Sequence, residues 1–173
     1  MNDPFLEKHI QDVPDFPKPG IVFKDISPLL ASHEARNKMT ETLVAHYRDK
    51  NIDVVVGIES RGFLFGMLIA NALNAKFVMI RKPGKLPGDL IEQSYQLEYG
   101  TDTIEIQQDA VNPNDRVLIH DDVLATGGTA AAAHSLLSKM DAQIIGYSFV
   151  IELDFLAGRE KLPSSEIHSA LHY

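Results

Sequence analysis

Two adjacent carboxylates and a loop of small residues form the most chemically suggestive segment of the chain. Residues 121–129 read Asp-Asp-Val-Leu-Ala-Thr-Gly-Gly-Thr, between an apolar run that predicts a buried strand and an alanine-rich run that predicts a helix. Glycine lets the backbone approach a ligand closely, and the free N–H groups at a helix start attract anions. The pattern predicts a phosphate site, to which the hydroxyls of Thr126 and Thr129 can also donate.

The loop favours a single phosphate group over a nucleoside triphosphate. A Walker-type loop carries lysine before its last Ser or Thr, and Gly128 stands in that place here. A Gly-x-Gly-x-x-Gly pattern follows none of the predicted strands, which argues against a dinucleotide site. Asp121 and Asp122 accept hydrogen bonds, so a ribose 5-phosphate suits the segment. A solvated strand end followed by an ordinary turn is the alternative that these residues leave open.

Two other predicted strands are followed by polar or charged residues, namely Ser60 and Arg61 after one and Arg81, Lys82 and Lys85 after the next. In a parallel sheet, ligands bind beyond the carboxyl ends of the strands. The basic cluster would attract an anionic substrate locally. Charged runs are also common on solvated faces, so these residue types alone do not assign a role.

Strands and helices alternate along the chain and must position these residues. Strands are predicted at 53–58, 76–80, 116–120 and 143–151, and helices at 33–49, 62–73 and 129–140. Ser32 is expected to cap the first of these helices. The alternation predicts an α/β fold with a mostly parallel central sheet flanked by helices.

Two segments fall outside this alternation. Residues 1–32 are punctuated by prolines and are expected to be irregular. Residues 83–107 belong to a long connection in which two alternating pieces, 94–99 and 103–107, could pair as a ribbon. Such a long connection in a small α/β domain is often a functional lid.

Composition excludes several classes of protein. The 173 residues predict one domain, and the absence of cysteine excludes disulfides, thiolate metal sites and a cysteine nucleophile. It also fits a cytoplasmic location. Apolar stretches are too short for a membrane helix, and the first residues do not resemble a signal peptide. The net charge of −8 argues against nucleic acid and anionic membranes as partners.

Residues 121–129 resemble the phosphoribosyl-pyrophosphate (PRPP) signature of the type I phosphoribosyltransferases. Four further segments resemble the members of this family that act on adenine: 16–26, 57–63, 81–88 and 94–100. The similarity extends over about residues 16–162. It implies a type I phosphoribosyltransferase fold in one domain, residues 1–173. A small hood would come mainly from residues 1–32, with a contribution from the C-terminal tail, and a flexible lid from about 83–107.

The resemblance implies a reaction as well. The phosphoribosyl group of PRPP would pass to adenine, giving AMP and pyrophosphate in purine salvage, and Mg²⁺ would be held mainly by PRPP rather than by a protein metal site. A cytoplasmic homodimer is implied, in which Arg81 serves a site shared with the neighbouring subunit. Guanine, xanthine or orotate remain alternative bases, and a nucleic-acid-binding regulator of the same fold remains an alternative function.

Roles for the phosphate-side residues also follow from the resemblance. Asp121 and Asp122 would bind the ribose hydroxyls. The residues expected around the 5-phosphate are Ala125, Thr126, Gly127, Gly128 and Thr129. Those expected around pyrophosphate are Ser60, Arg61, Arg81, Lys82 and Lys85, with Arg61 also catalytic. A non-proline cis peptide is expected near Glu59-Ser60.

On the base side, the resemblance implies that Phe23 stacks on adenine and that Leu153 covers its other face. Backbone groups of Val22 and Lys24 would bind the edge of the base. Glu98 would manage a proton near the purine N7, and Tyr99 would help to close the lid. His120, on a predicted strand, is interpreted as a satisfied histidine rather than a metal ligand.

Overall fold

The computed structural model describes residues 2–96, 100–163 and 165–173. The strands are β1 (Gln11–Pro14), β2 (Val22–Asp25), β3 (Val54–Ile58), β4 (Lys76–Ile80), β5 (Leu90–Gln96), β6 (Thr101–Gln107), β7 (Arg116–Leu124), β8 (Gln143–Glu152) and β9 (Glu166–His172). The helices are α1 (Pro4–Glu7), α2 (Ser27–Ala31), α3 (His33–Ala45), α4 (Gly62–Leu73) and α5 (Gly128–Ser138). Two 3₁₀ turns, Asp154–Leu156 and Gly158–Lys161, follow β8.

A five-stranded sheet in the order β4-β3-β7-β8-β9 forms the centre of the molecule, and every neighbouring pair in it is parallel. Helices cover both faces, so β3 is a continuous buried run of apolar residues. Alternate side chains point to opposite faces: Val54 and Val56 pack with α5, and Val55 packs with α3 and α4. The predicted α/β class with a mostly parallel sheet is confirmed.

Most predicted elements are present, and their ends differ. The helix at 62–73 and the strand at 76–80 have the predicted bounds. Ser32 caps α3 as predicted, since its side chain accepts from the Ala35 N–H, but α3 ends at Ala45 rather than at residue 49. The other predicted strands of the central sheet and the helix before β8 shift by one or two residues at their ends, apart from β7.

The end of β7 is the difference that matters for function. We predict a strand end at His120, whereas β7 continues to Leu124. Pairing with β8 extends to Leu124 opposite Glu152, which keeps the backbone groups of this stretch in the ladder. Asp121 and Asp122 are therefore part of a strand, not a loop beyond it.

The expectation that residues 1–32 are irregular is wrong. They form α1, an antiparallel ribbon of β1 and β2, and α2. The prolines lie at positions that tolerate a missing N–H, since Pro14 ends a strand and Pro4 and Pro28 lie in the first turns of helices. β9 was not predicted either, because Glu166–His172 contains few of the β-branched residues that are typical of strands. It forms an edge of the central sheet.

The lid segment contains the predicted ribbon. β5 and β6 pair antiparallel from Leu90 opposite Gln107 to Gln96 opposite Thr101, so β5 begins earlier than expected. Residues 97–99 of the predicted piece lie outside the described residues. Ile104 and Ile106 of β6 are buried in the core beside α5. Among the described residues, none of the helices has the length and apolar character that crossing a membrane requires.

The hydroxyl of Tyr47 gives a test of this packing. Tyr47 is fully buried and donates to the carbonyl oxygen of Tyr147 at 2.6 Å, which links the end of α3 to β8. We expect Tyr47→Phe to lower the free energy of unfolding in urea by about 1–2 kcal/mol, because a buried acceptor loses its partner. Ser135→Ala, which removes an exposed helix hydroxyl, is the control and should change it by less than about 0.5 kcal/mol. Equal values for the two variants would contradict this role of Tyr47.

Candidate active site

A cavity of about 1250 Å³ opens between the β1–β2 ribbon, the start of α5 and the segment after β8. Its lining includes six of the residues predicted to bind substrate: Val22, Lys24, Thr126, Gly128, Thr129 and Leu153. These residues are spread over most of the chain. The fold therefore brings three of the four residues predicted for the base and three of the five predicted for the 5-phosphate to one cavity, whereas Phe23, Ala125 and Gly127 are not part of its lining.

The loop between β7 and α5 leaves backbone donors free. Gly127, at the N-cap of α5, has a φ of 77°, in the left-handed region that glycine adopts easily. It has no side chain to cap the helix, so the first N–H groups of α5 are available to a ligand. The loop also surrounds a hollow of about 70 Å³, whose lining includes Asp121, Ala125 and residues 126–129. Helix polarity and free N–H groups suit this loop to a phosphate.

Asp121 and Asp122 form a buried acidic pair. The Nε atom of Arg61 lies 2.8 Å from Oδ2 of Asp122, and the Asp122 N–H donates to Oδ1 of Asp121 at 2.8 Å. Burial, and then the charge of Asp122, raise the pKa of Asp121 well above its usual range. Burial also raises the pKa of Asp122, against the opposing effect of Arg61. Two carboxylates with one cation favour a ligand that donates hydrogen bonds to them.

The start of α4 packs directly against this pair. A Cβ atom on Gly62 would lie 2.9 Å from the backbone oxygen of His120 and 3.0 Å from Oδ1 of Asp121. Only glycine permits this approach. The positive end of the α4 dipole therefore lies beside the Asp121 carboxylate, which favours its charged form.

Phe23 and its neighbours in β2 face different surroundings. Val22 and Lys24 line the cavity, whereas the Phe23 ring centre lies 4.8 Å from the guanidinium carbon of Arg61. The alternation of side chains along a strand accounts for this separation. The stacking predicted for Phe23 and the backbone contacts predicted for Val22 and Lys24 remain predictions.

The predicted basic cluster is assembled around Glu59. Its Oε2 accepts from the Lys82 N–H at 2.8 Å and lies 3.4 Å from Nε of Arg81, and its Oε1 pairs with Nζ of Lys85. Burial alone would raise the pKa of Glu59, but these hydrogen bonds lower it to about 2. The Glu59–Ser60 peptide is cis, as the resemblance implies. A role for the Glu59 side chain could not be predicted from the sequence, because its partners lie more than 20 residues away.

The lid hairpin contacts the helix start through Tyr95. Its hydroxyl lies 3.2 Å from Oγ1 of Thr129 and donates to Oδ2 of Asp102 at 3.2 Å. Lys82 forms an ion pair with the same carboxylate. The contact between Tyr95 and Asp102 could not be predicted from the sequence, because only the pairing of β5 with β6 brings them together. Glu98 and Tyr99 lie outside the described residues.

His120 is fully buried, and its Nδ1 lies 3.3 Å from Oγ of Ser148. Burial lowers its pKa to about 3, so the ring is neutral near pH 7. Within the described residues, Nε2 has no partner, so the interpretation as a satisfied histidine holds for one nitrogen only.

Glu152, Asp154 and His172 form a cluster that the sequence spacing did not indicate, because β9 brings His172 beside the end of β8. The Glu152 carboxylate is already held there by both Nε and Nη2 of Arg159, at 2.9 and 2.6 Å.

The chain is similar to known proteins of the family that its sequence motifs resemble. The family model "Phosphoribosyl transferase domain" matches residues 25–165. An adenine phosphoribosyltransferase of Halothermothrix orenii is 52% identical over 166 residues, which cover 96% of this chain and 98% of that protein.

Two solved structures are also similar. The adenine phosphoribosyltransferase of Rhodothermus marinus has a TM-score of 0.94 and 50% identity, and covers 98% of this chain and 97% of its own. The enzyme of Saccharomyces cerevisiae, solved with adenine and an imino-altritol bisphosphate, has a TM-score of 0.92 and 42% identity, and covers 96% and 97%. The chain thus belongs to the phosphoribosyl transferase domain family and, within that family, to the adenine phosphoribosyltransferases of type I fold.

Proposed function

We propose that this chain transfers the 5-phosphoribosyl group of PRPP to adenine, giving AMP and pyrophosphate in purine salvage. The observation that carries the proposal is the shared cavity, where a phosphate-type loop faces the hood strand β2 and Leu153. The similarity to a yeast enzyme solved with adenine supports this base. The absence of cysteine fits a reaction in the cytoplasm.

The phosphate and ribose contacts use the β7–α5 loop. The 5-phosphate accepts from the N–H groups and threonine hydroxyls of residues 125–129. Asp121 and Asp122 accept hydrogen bonds from the ribose 2- and 3-hydroxyls, which compensates for the burial of two carboxylates. Their negative charge then lies beside C1, where positive charge develops as the bond to pyrophosphate breaks.

Departing pyrophosphate is stabilised by a set of polar and basic groups: Ser60, Arg61, Arg81, Lys82 and Lys85. The three cations of the cluster are paired with Glu59 and Asp102 in the structure. In this proposal the two carboxylates keep the cations in position before pyrophosphate arrives. Pyrophosphate then binds by replacing the carboxylates as the partner of these cations. The Arg61–Asp122 pair links this region to the ribose site.

The acidic pair also fits a magnesium ion that arrives with PRPP. Carboxylate oxygens are the ligands Mg²⁺ prefers, and Asp121 and Asp122 have a single cation, Arg61, beside them in the described site. In its bound state, Mg²⁺ would neutralise charge on the leaving group. We assign the main ligands of this ion to oxygen atoms of PRPP. Asp121 and Asp122 contact the ribose hydroxyls in this proposal.

The base lies between Phe23 and Leu153, and the backbone of Val22 and Lys24 binds its edge. Glu98 manages the proton at N7, and Tyr99 closes the lid of residues 83–107 over the cavity. The hood comprises residues 1–32. Tyr173, which follows β9, also lines the cavity, and Lys24 lies 3.8 Å above the centre of its ring. This contact supports a contribution of the C-terminal tail to the base pocket.

A second copy of the chain covers the outer face of α4 in this proposal. Leu64, Met67 and Leu68 are exposed there at helical spacing, and Met79 of the edge strand β4 is also exposed. A contiguous apolar face of this kind is typical of an interface. Arg81 directly follows β4, so a homodimer through this face places Arg81 near the neighbouring subunit.

Pyrophosphate release from PRPP in the presence of each candidate base tests the proposed reaction. We expect turnover with adenine and Mg²⁺, and rates at least about a hundredfold lower with guanine, xanthine or orotate, because the unmatched polar edge of a wrong base stays buried without partners. Faster turnover with another base would assign that base as the substrate. Nucleic-acid binding without turnover would favour the regulator instead.

Asp122→Asn tests the charge beside the ribose. The amide keeps the shape of the side chain but removes its charge, so we expect kcat to fall about 10²–10³-fold, with the melting temperature little changed. Asp49→Asn, at an exposed carboxylate that follows α3 and lies outside the proposed site, is the matched control and should retain wild-type kcat. Wild-type kcat in Asp122→Asn would remove this carboxylate from the mechanism.

Met67→Glu tests the proposed homodimer. A charge in the centre of the apolar α4 face should disfavour its burial, so sedimentation should give a dimer for the wild type and a monomer for the variant. Asn37→Glu, at an exposed position of α3, should leave the dimer intact. A monomeric wild type, or a Met67→Glu dimer, would contradict this interface.

A further inference from the structure

Gly158 makes a very close backbone contact with the loop of residues 125–129 between β7 and α5, which is called the phosphate loop below. A Cβ atom on Gly158 would lie 2.1 Å from the carbonyl oxygen of Ala125 and 2.9 Å from the amide nitrogen of Gly127. In the other direction, a Cβ atom on Gly127 would lie 2.3 Å from the carbonyl oxygen of Gly158. The two segments therefore touch main chain to main chain, and neither position has space for a methyl group.

The segment that carries Gly158 is firmly held. Arg159 binds both carboxylate oxygens of Glu152 and donates from Nη1 to the carbonyl oxygen of Ile167 at 3.1 Å. Burial would raise the pKa of Glu152, but hydrogen bonds from Arg159 and Ser169 lower it, so the pair stays charged near pH 7. Leu162 is buried in the core beside α5. A clash at Gly158 would therefore displace the phosphate loop more readily than this segment.

The same segment forms one wall of the cavity. Leu153, Phe155, Leu156 and Lys161 line it, opposite the Val22 and Lys24 side chains. The Leu153 N–H also donates to the carbonyl oxygen of Leu124, directly before the phosphate loop. Gly158 thus lies where the base-side wall meets the loop that binds the phosphate.

We infer that Gly158 is a positioning residue, which sets the distance between the phosphate loop and the base-side wall through direct backbone contact. This inference rests on the proposed function, because it assumes that the loop binds a sugar phosphate. Gly158 lies in a 3₁₀ turn rather than in the left-handed region, so alanine suits its backbone conformation. The added methyl group would clash with the carbonyl oxygen of Ala125. Relief of this clash would shift the loop amides away from a bound phosphate.

Gly158→Ala tests this inference, with ribose 5-phosphate as the probe, since it carries the phosphate and sugar without a base. We expect its Kd, measured by calorimetry on the full chain, to rise at least about tenfold, because loop amides that shift by several tenths of an ångström lose hydrogen-bond geometry. The KM for PRPP should rise with it.

Gly146→Ala is the matched control. A Cβ atom there would lie 2.6 Å from the carbonyl oxygen of Glu166, a comparable backbone clash near the opposite end of β8. This variant should lose thermal stability and keep the wild-type Kd for ribose 5-phosphate. A folded Gly158→Ala variant with wild-type Kd, or an equal loss of affinity in both variants, would overturn the positioning role.

Hydrogen exchange on the wild-type protein keeps the inference testable if Gly158→Ala does not fold. Ribose 5-phosphate should slow exchange in residues 153–162 as well as in 125–129, since the two segments are in contact. Slower exchange confined to 125–129 would overturn the inference and leave the proposed function intact. A wild-type protein that does not bind ribose 5-phosphate would overturn both.

Discussion

The buried pair of Asp121 and Asp122 is the constraint on which the rest of the site depends. Two adjacent carboxylates in a strand are unfavourable unless nearby groups compensate for their charge. The protein supplies the Arg61 side chain to Asp122, and the N-terminus of α4, which begins at the next residue, to Asp121. This compensation is partial, as the raised pKa of both groups indicates. In the proposed function, the hydroxyl groups of a ribose complete this compensation by donating hydrogen bonds to the two carboxylates.

In the basic cluster the charges are reversed, because carboxylates there compensate for a group of cations. The chain has a net charge of −8, so the region proposed to bind pyrophosphate needs a local excess of cations whose mutual repulsion is compensated. Glu59 and Asp102 hold Arg81, Lys82 and Lys85 together. Against the effect of burial, hydrogen bonds from the Lys85 side chain, the Lys82 N–H and the Arg81 side chain lower the pKa of Glu59. In the proposed function, an arriving pyrophosphate group would replace these carboxylates in an arrangement that is already formed, which would limit the reorganisation that binding requires.

Close main-chain contact sets the geometry of both regions. Gly62 brings α4 against Asp121, and Gly158 brings the base-side wall against the phosphate loop. Both contacts join segments that are far apart in sequence, and both need a residue without Cβ. Because backbone atoms are held by their own hydrogen bonds, such contacts position a loop more rigidly than side-chain packing does.

The sequence by itself determined the alternation of strands and helices, the phosphate-type loop and the family, because apolar periodicity and contiguous motifs are local properties. It also gave Ser32 as a cap and the bounds of α4, where adjacent residues decide the outcome. It failed for β9 and for residues 1–32, whose strands form because a partner strand lies beside them. The roles of Glu59, Asp102 and Gly158 were decided by the tertiary structure alone. Each acts on at least one residue that is 20 or more positions away, and only the packed sheet, hairpin and loops bring such residues into contact.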